Sequence, residues 1–122
     1  MKNMITICRI DDIIEEEVDF VVNNQKLTAF NTSMQELKVG ESYEAEIDIF
    51  LIDGLDMEEQ SGAQQKKMEY LENFSYIVMG KLLDKNVLDA GCLITSDLFE
   101  DYEYLIGQYV TLKVDRLQIF VE

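Results

Sequence analysis

Carboxylates are the side chains that this sequence supplies in number for chemistry: 25 Asp and Glu stand against 10 Lys and Arg, with no histidine. Closely spaced acids can hold a divalent cation, share the acid and base work of glycoside hydrolysis, or dock basic side chains. The densest group is Asp11, Asp12, Glu15, Glu16 and Glu17, wrapped around Ile13 and Ile14. It lacks the glycine and spacing of a calcium loop, so it reads as a solvated turn or as an acidic lip for basic side chains. A second group, Asp53, Asp56, Glu58 and Glu59, does not follow the D-x-[DN]-x-[DN]-G calcium pattern either. Beyond a plain solvated loop, it reads as an acidic patch beside exposed Leu55 and Met57, an arrangement that suits a protein interface.

Glu44, Glu46 and Asp48 alternate, which places them along one face of a strand at about 6.5–7 Å intervals. That is near the spacing of successive phosphates on one nucleic-acid strand. The row is either the ordinary outer face of a half-exposed strand or a surface that imitates nucleic acid to a basic protein. Tyr104, within Glu100-Asp101-Tyr102-Glu103-Tyr104, is expected to be exposed as a contact residue. Arg9 and Arg116 are the only arginines, and Arg116 is expected to pair with a neighbouring acid.

Absences narrow the chemistry. Without histidine, the commonest general base and the usual partner of a nucleophilic Ser or Cys are missing. Cys8 and Cys92 stand alone, without zinc-like spacing, and read as two reduced core thiols, with a bridge between them as the alternative. No phosphate loop and no GxGxxG motif occurs. Nothing singles out a carboxylate pair, so the reading is a non-catalytic chain with no metal and no cofactor. The net charge of -15 and the pI near 4.1 draw in basic partners and repel phosphates. Direct nucleic-acid binding would need a cationic groove, and the ten basic residues are scattered. No apolar run approaches the roughly 18 residues of a membrane helix, and the N-terminus does not resemble a signal peptide. No membrane partner and a cytoplasmic location are therefore expected.

The elements that must position these residues follow a period of two. In 43–52, Tyr43, Ala45, Ile47, Ile49 and Leu51 share one face; Phe50 and Ile52 make the far end apolar on both faces, which predicts burial there. In the final segment Val110, Leu112 and Val114 change parity to Leu117, Ile119 and Val121, so a bulge or sharp bend is expected at Asp115-Arg116. Further strands are expected at 5–10, 18–22, 26–31, 75–83 and 90–95, the second and third forming a hairpin about Asn23-Asn24. The 75–83 strand should be central, and 84–86 a turn. A short helix is expected at 63–72, with Met68 and Leu71 touching the core. A second is expected over 97–106, opened by Asp97 and Glu100 as a capping box and stopped by Gly107.

At 48% hydrophobic, residues 1–122 form one domain with a single core. The expected fold is mainly β: a small barrel or two curled antiparallel sheets of six to seven strands, with one or two short helices. Gly40-Glu41-Ser42-Tyr43, Met79-Gly80-Lys81 and Ile106-Gly107-Gln108-Tyr109-Val110 make residues 39–121 resemble an oligonucleotide/oligosaccharide-binding (OB) barrel, with the N-terminal strands as additions to it. In general character, by size, acidity and missing catalytic groups, the chain resembles bacterial immunity proteins that block a toxin, often a nuclease. That resemblance implies a basic protein partner and transfers no site residue. Two other functions compete: an interaction subunit of a larger assembly, and an OB-like nucleic-acid or small-ligand module.

Overall fold

The computed structural model describes residues 2–122. It is mainly β, with eleven strands among the described residues: β1 (Asn3–Ile10), β2 (Glu17–Val22), β3 (Gln25–Asn31), β4 (Ser42–Phe50), β5 (Met57–Glu59), β6 (Lys67–Tyr70), β7 (Tyr76–Asp84), β8 (Val87–Asp89), β9 (Leu93–Thr95), β10 (Tyr109–Val114) and β11 (Arg116–Val121). Five of these close on one another as a small barrel, and the others extend it. β1 pairs with β2, β2 with β3, β3 in parallel with β11, β11 with β4, and β4 returns to β1. Closure leaves this ring without a free edge.

The ring order is consistent with an OB-like barrel, but the barrel is not where the sequence placed it. The N-terminal strands β1–β3 are barrel staves, not additions, and the segment from β5 to β10 is an insertion between β4 and β11. The insertion forms a second sheet that continues from β4 through β9, β8 and β7 to β10 and β5, with β6 also on β7. β7 is central as expected, because its two edges are taken by β10 and by β6 with β8.

Local chemistry explains the joints. Asn23 and Asn24 adopt positive φ of 46° and 68° in the β2–β3 turn, the conformation that a two-residue hairpin needs and asparagine tolerates. Gly80 has no φ requirement; a Cβ there would lie 2.3 Å from the Asp89 carbonyl oxygen, so only glycine lets β7 and β8 approach. At Asp115 the chain passes from the second sheet into the barrel, at the bend expected from the parity change. Asp115 fixes that bend from both ends: its backbone N–H donates to the Phe50 carbonyl at 3.0 Å, and its carboxylate accepts from the Ile52 backbone N–H at 2.7 Å.

Two expectations about helices are corrected. Residues 63–72 contain no helix; Lys67–Tyr70 runs antiparallel to β7. The edge offered by β7 and the apolar packing of Met68 override a weak helical pattern. Residues Asp97–Leu105 do turn, but as a 3₁₀ segment interrupted at Tyr102. Its N-cap is Ser96, whose hydroxyl accepts from the Leu98 N–H at 3.2 Å, not Asp97. Phe99 and Leu105 bury, while Leu98 and Ile106 stay exposed, because a three-residue turn aims side chains differently from the 3.6-residue period assumed.

Ile5, Ile7, Phe20, Leu27, Ile47, Leu117 and Ile119 join Val78, Leu82, Leu88, Ile94 and Phe99 in one buried cluster. Polar links clamp the second sheet to the barrel. Asn3 exchanges two hydrogen bonds with the backbone of Leu93, at 2.7 and 2.8 Å, and the Tyr76 hydroxyl accepts from the Thr28 N–H at 2.9 Å. Cys92 is buried, with its thiol pushed up to about 12 by desolvation, whereas Cys8 is exposed and not a core residue; both are free. Among the described residues no helix is long and apolar enough to cross a membrane.

Candidate functional site

The acidic run between β1 and β2 is organised by the one cation within it. Arg9, at the end of β1, donates from Nε to Asp19 Oδ2 at 2.9 Å, from Nη2 to Asp19 Oδ1 at 3.2 Å and also to Glu17, and from Nη1 to Asp11 at 3.1 Å. The antiparallel pairing of β1 with β2 sets Arg9 opposite Asp19. Burial alone would raise the Asp19 carboxyl, but the Arg9 guanidinium and the Thr28 hydroxyl outweigh it and hold that group below its usual range. The hydrogen bonds that Arg9 donates to Asp19 and Glu17 in turn raise the guanidinium. Asp11 also accepts from the backbone N–H groups of Ile14 at 2.8 Å and Ile13 at 3.1 Å, which hold its carboxyl low ahead of Arg9.

Asp11 and Glu17 therefore also hold the loop together, through Arg9 and, for Asp11, the backbone of Ile13 and Ile14. Sequence reasoning missed Asp19, although Arg9 in so acidic a stretch was a usable signal. Asp12, Glu15 and Glu16 remain exposed. With Asp11 and Glu36 they line a groove of about 600 Å³ between the β1–β2 loop and residues 33–37. No Lys or Arg lines it, and Met34 stands on its wall fully exposed.

The other expected residues are dispersed. Glu44, Glu46 and Asp48 do lie on the outer face of β4, but not as a free row. Glu46 and Asp48 turn into a groove of about 230 Å³ shared with Thr32, Ser96, Asp97, Gln118 and Phe120. Asp48 keeps an exposed edge, yet crowding by neighbouring atoms raises its carboxyl; the Ile49 N–H and the Ser96 hydroxyl oppose this, and the charges of Asp97 and Glu46 add to it. Asp53, Asp56 and Glu58 border a third groove of about 450 Å³, with Leu51, Ile77 and Lys113. Glu59 lies in β5, paired with Val110.

Met57 and Leu55 are not the exposed anchors expected there. Met57 is buried, Leu55 packs on the core, and the Tyr102 hydroxyl donates to the Leu55 carbonyl at 2.6 Å. Tyr104 is exposed as expected, tilted against Tyr102 at 6.1 Å between centroids. No three His, Cys, Asp or Glu side chains among the described residues are placed to hold a metal ion.

A protein-family model with the description Uncharacterised conserved protein UCP019853 matches residues 1–121. The chain belongs to that family. No curated protein and no solved structure is significantly similar to it.

One expectation about a single residue fails outright. Arg116 does not pair with an acid. Its guanidinium lies between the rings of Phe30 and Phe50, 4.5 Å from each centroid, and its Nε is buried without a hydrogen-bond acceptor. β11 sets Arg116 directly across from Phe50 on β4, with Phe30 on the other flanking strand. The far end of β4 is accordingly not buried on both faces: Phe50 is part-exposed and Ile52 is 79% exposed.

Proposed function

We propose that this chain is a non-catalytic acidic binding protein that neutralises a basic protein partner, in the manner of an immunity protein blocking a toxin such as a nuclease. The observation that carries the reading is the groove of Asp11, Asp12, Glu15, Glu16 and Glu36, which holds no basic residue and has an exposed methionine in its wall. Acids around an adaptable apolar side chain suit the docking of Lys or Arg, whose stems need apolar contact and whose heads need carboxylates. The loop between the first two staves is a ligand-binding position in OB-like barrels, and here its sign favours a basic protein over nucleic acid.

The test compares the native chain with Asp12→Asn, Glu15→Gln, Glu16→Gln and Glu36→Gln combined, leaving Asp11 and Glu17 to hold the loop. A basic partner is first recovered by affinity capture at physiological salt, from lysate that includes proteins expressed from neighbouring genes. Its association rate is then followed at two ionic strengths, with its own activity measured in the complex. The reading expects roughly tenfold slower association of the variant at low salt and a flatter salt dependence. Association that is unchanged in the variant would remove this groove from the interface. Recovery of a constant multi-protein assembly with no loss of activity would favour the subunit reading.

A further inference from the structure

The groove beside Arg116 carries a second and separate recognition chemistry. It holds about 390 Å³ and is walled by Phe30, Phe50, Phe74 and Ile52, with Lys113 and Arg116 supplying positive charge. The Arg116 guanidinium carbon stands 4.5 Å from the ring centroids of both Phe30 and Phe50. Its Nε is buried, and no described residue accepts a hydrogen bond from it. Arg116 thus differs from Arg9, the other arginine of the chain, which engages three carboxylates.

The acids nearest to Arg116 are placed otherwise. Asp115 accepts from the Ile52 N–H at 2.7 Å, and Glu72 lines the groove without reaching the guanidinium. The wall opposite is built at a cost. Asn73 and Phe74 both have positive φ, 50° and 71°, which is unusual for a residue as bulky as phenylalanine. That turn places Phe74 edge-on to Phe30, 5.0 Å between centroids.

A guanidinium packed against two phenyl rings, with no acid of the chain paired to it, matches a planar carboxylate, which it can bind through two parallel N–H···O bonds. The apolar walls match a hydrocarbon or aromatic body attached to that carboxylate, and the volume falls in the range of small-ligand sites. We propose that this groove binds a small carboxylic acid with an apolar body. The carboxylate lies in the plane of Arg116, and the body lies against Phe74 and Ile52. Lys113 adds attraction, and the two acids of the groove, Glu72 and Asp115, oppose it.

The probe is 3-phenylpropionate, titrated into the native chain and followed by the side-chain N–H resonances of Arg116, with 3-phenylpropionamide, inorganic phosphate and a peptide ending in a free phenylalanine carboxylate as comparisons. The expected result is saturable movement of the Arg116 resonances by 3-phenylpropionate at an affinity at least tenfold above that of the amide. Glu72→Gln is expected to tighten binding and Arg116→Gln to abolish the preference for acid over amide. Four results would overturn the proposal: no movement of the Arg116 resonances, equal binding of the amide, equal binding of phosphate, or binding of the peptide but not the free acid. Should Arg116→Gln fail to fold, the acid and amide comparison on the native chain still decides.

Discussion

Replacing Asp19 with Asn tests whether the Arg9 network supports the acidic loop. Asp19 accepts from Arg9 Nε at 2.9 Å, from Arg9 Nη2 at 3.2 Å and from the Thr28 hydroxyl at 2.7 Å, and its side chain is 12% exposed. Hydrogen bonds to a charged group contribute about 1.5–3 kcal/mol. The Arg9 side chain is 40% exposed and keeps Glu17 and Asp11, so solvent and the remaining acids recover part of the loss. A net cost of about 2 kcal/mol at pH 7 follows. For a chain of 122 residues the unfolding entropy is about 0.26 kcal/mol/K, which converts that cost to a fall in Tm of about 8 °C.

The cost should depend on pH. The Asp19 carboxyl is held below its usual value, so its contribution is complete above the unfolded value of about 3.9 and is lost as pH falls through the lower folded value. Urea denaturation of both chains at pH 7, 5 and 3 reads this directly. The gap should be constant between pH 7 and 5 and narrow at pH 3. A loss under about 0.5 kcal/mol at pH 7, or a gap unchanged at pH 3, would refute the assignment of the network as the support of the loop.

Three further outcomes follow from the packing. Gly80→Ala should destabilise by about 1–3 kcal/mol in urea, because the new methyl meets the rigid Asp89 carbonyl rather than a side chain that can swing aside. Asn24→Ala should cost about 1 kcal/mol through the positive φ at the hairpin, while Asn24→Gly should be neutral or stabilising. A thiol reagent should modify Cys8 alone in the folded chain and reach Cys92 only on unfolding, counted by mass spectrometry with and without denaturant.

The elements that sequence revealed are those whose partners are local or whose pattern is strict. Asn23-Asn24 announced its hairpin because the turn chemistry is contained in two residues. The parity change at Asp115-Arg116 announced the bend because a period of two cannot change silently. What remained hidden was decided by distant pairing. Lys67–Tyr70 is a strand only because β7 offers it an edge, and the barrel includes β1–β3 only because β11 returns alongside β3.

The candidate sites divide in the same way. Acidic loops were legible as composition, but the diversion of Asp11 and Glu17 to Arg9 required the β1–β2 register. The surroundings of Arg116 were not legible at all, since Phe30, Phe50 and Phe74 come from three separate parts of the chain. Each of those phenylalanines looked like ordinary core material in isolation.

The parallel seam between β3 and β11 has a consequence for how the chain reaches this state. Four staves are complete by residue 50, yet β3 and β4 have no partner for their facing edges until residues 116–121 arrive. Until then the nascent barrel is an open sheet with two unsatisfied edges, while the insertion can assemble its own pairings. Ring closure is therefore a long-range step that carries a loop-entropy cost. Slow folding and a transient tendency to self-associate are the expected signature, and the strong negative charge would keep such open intermediates apart.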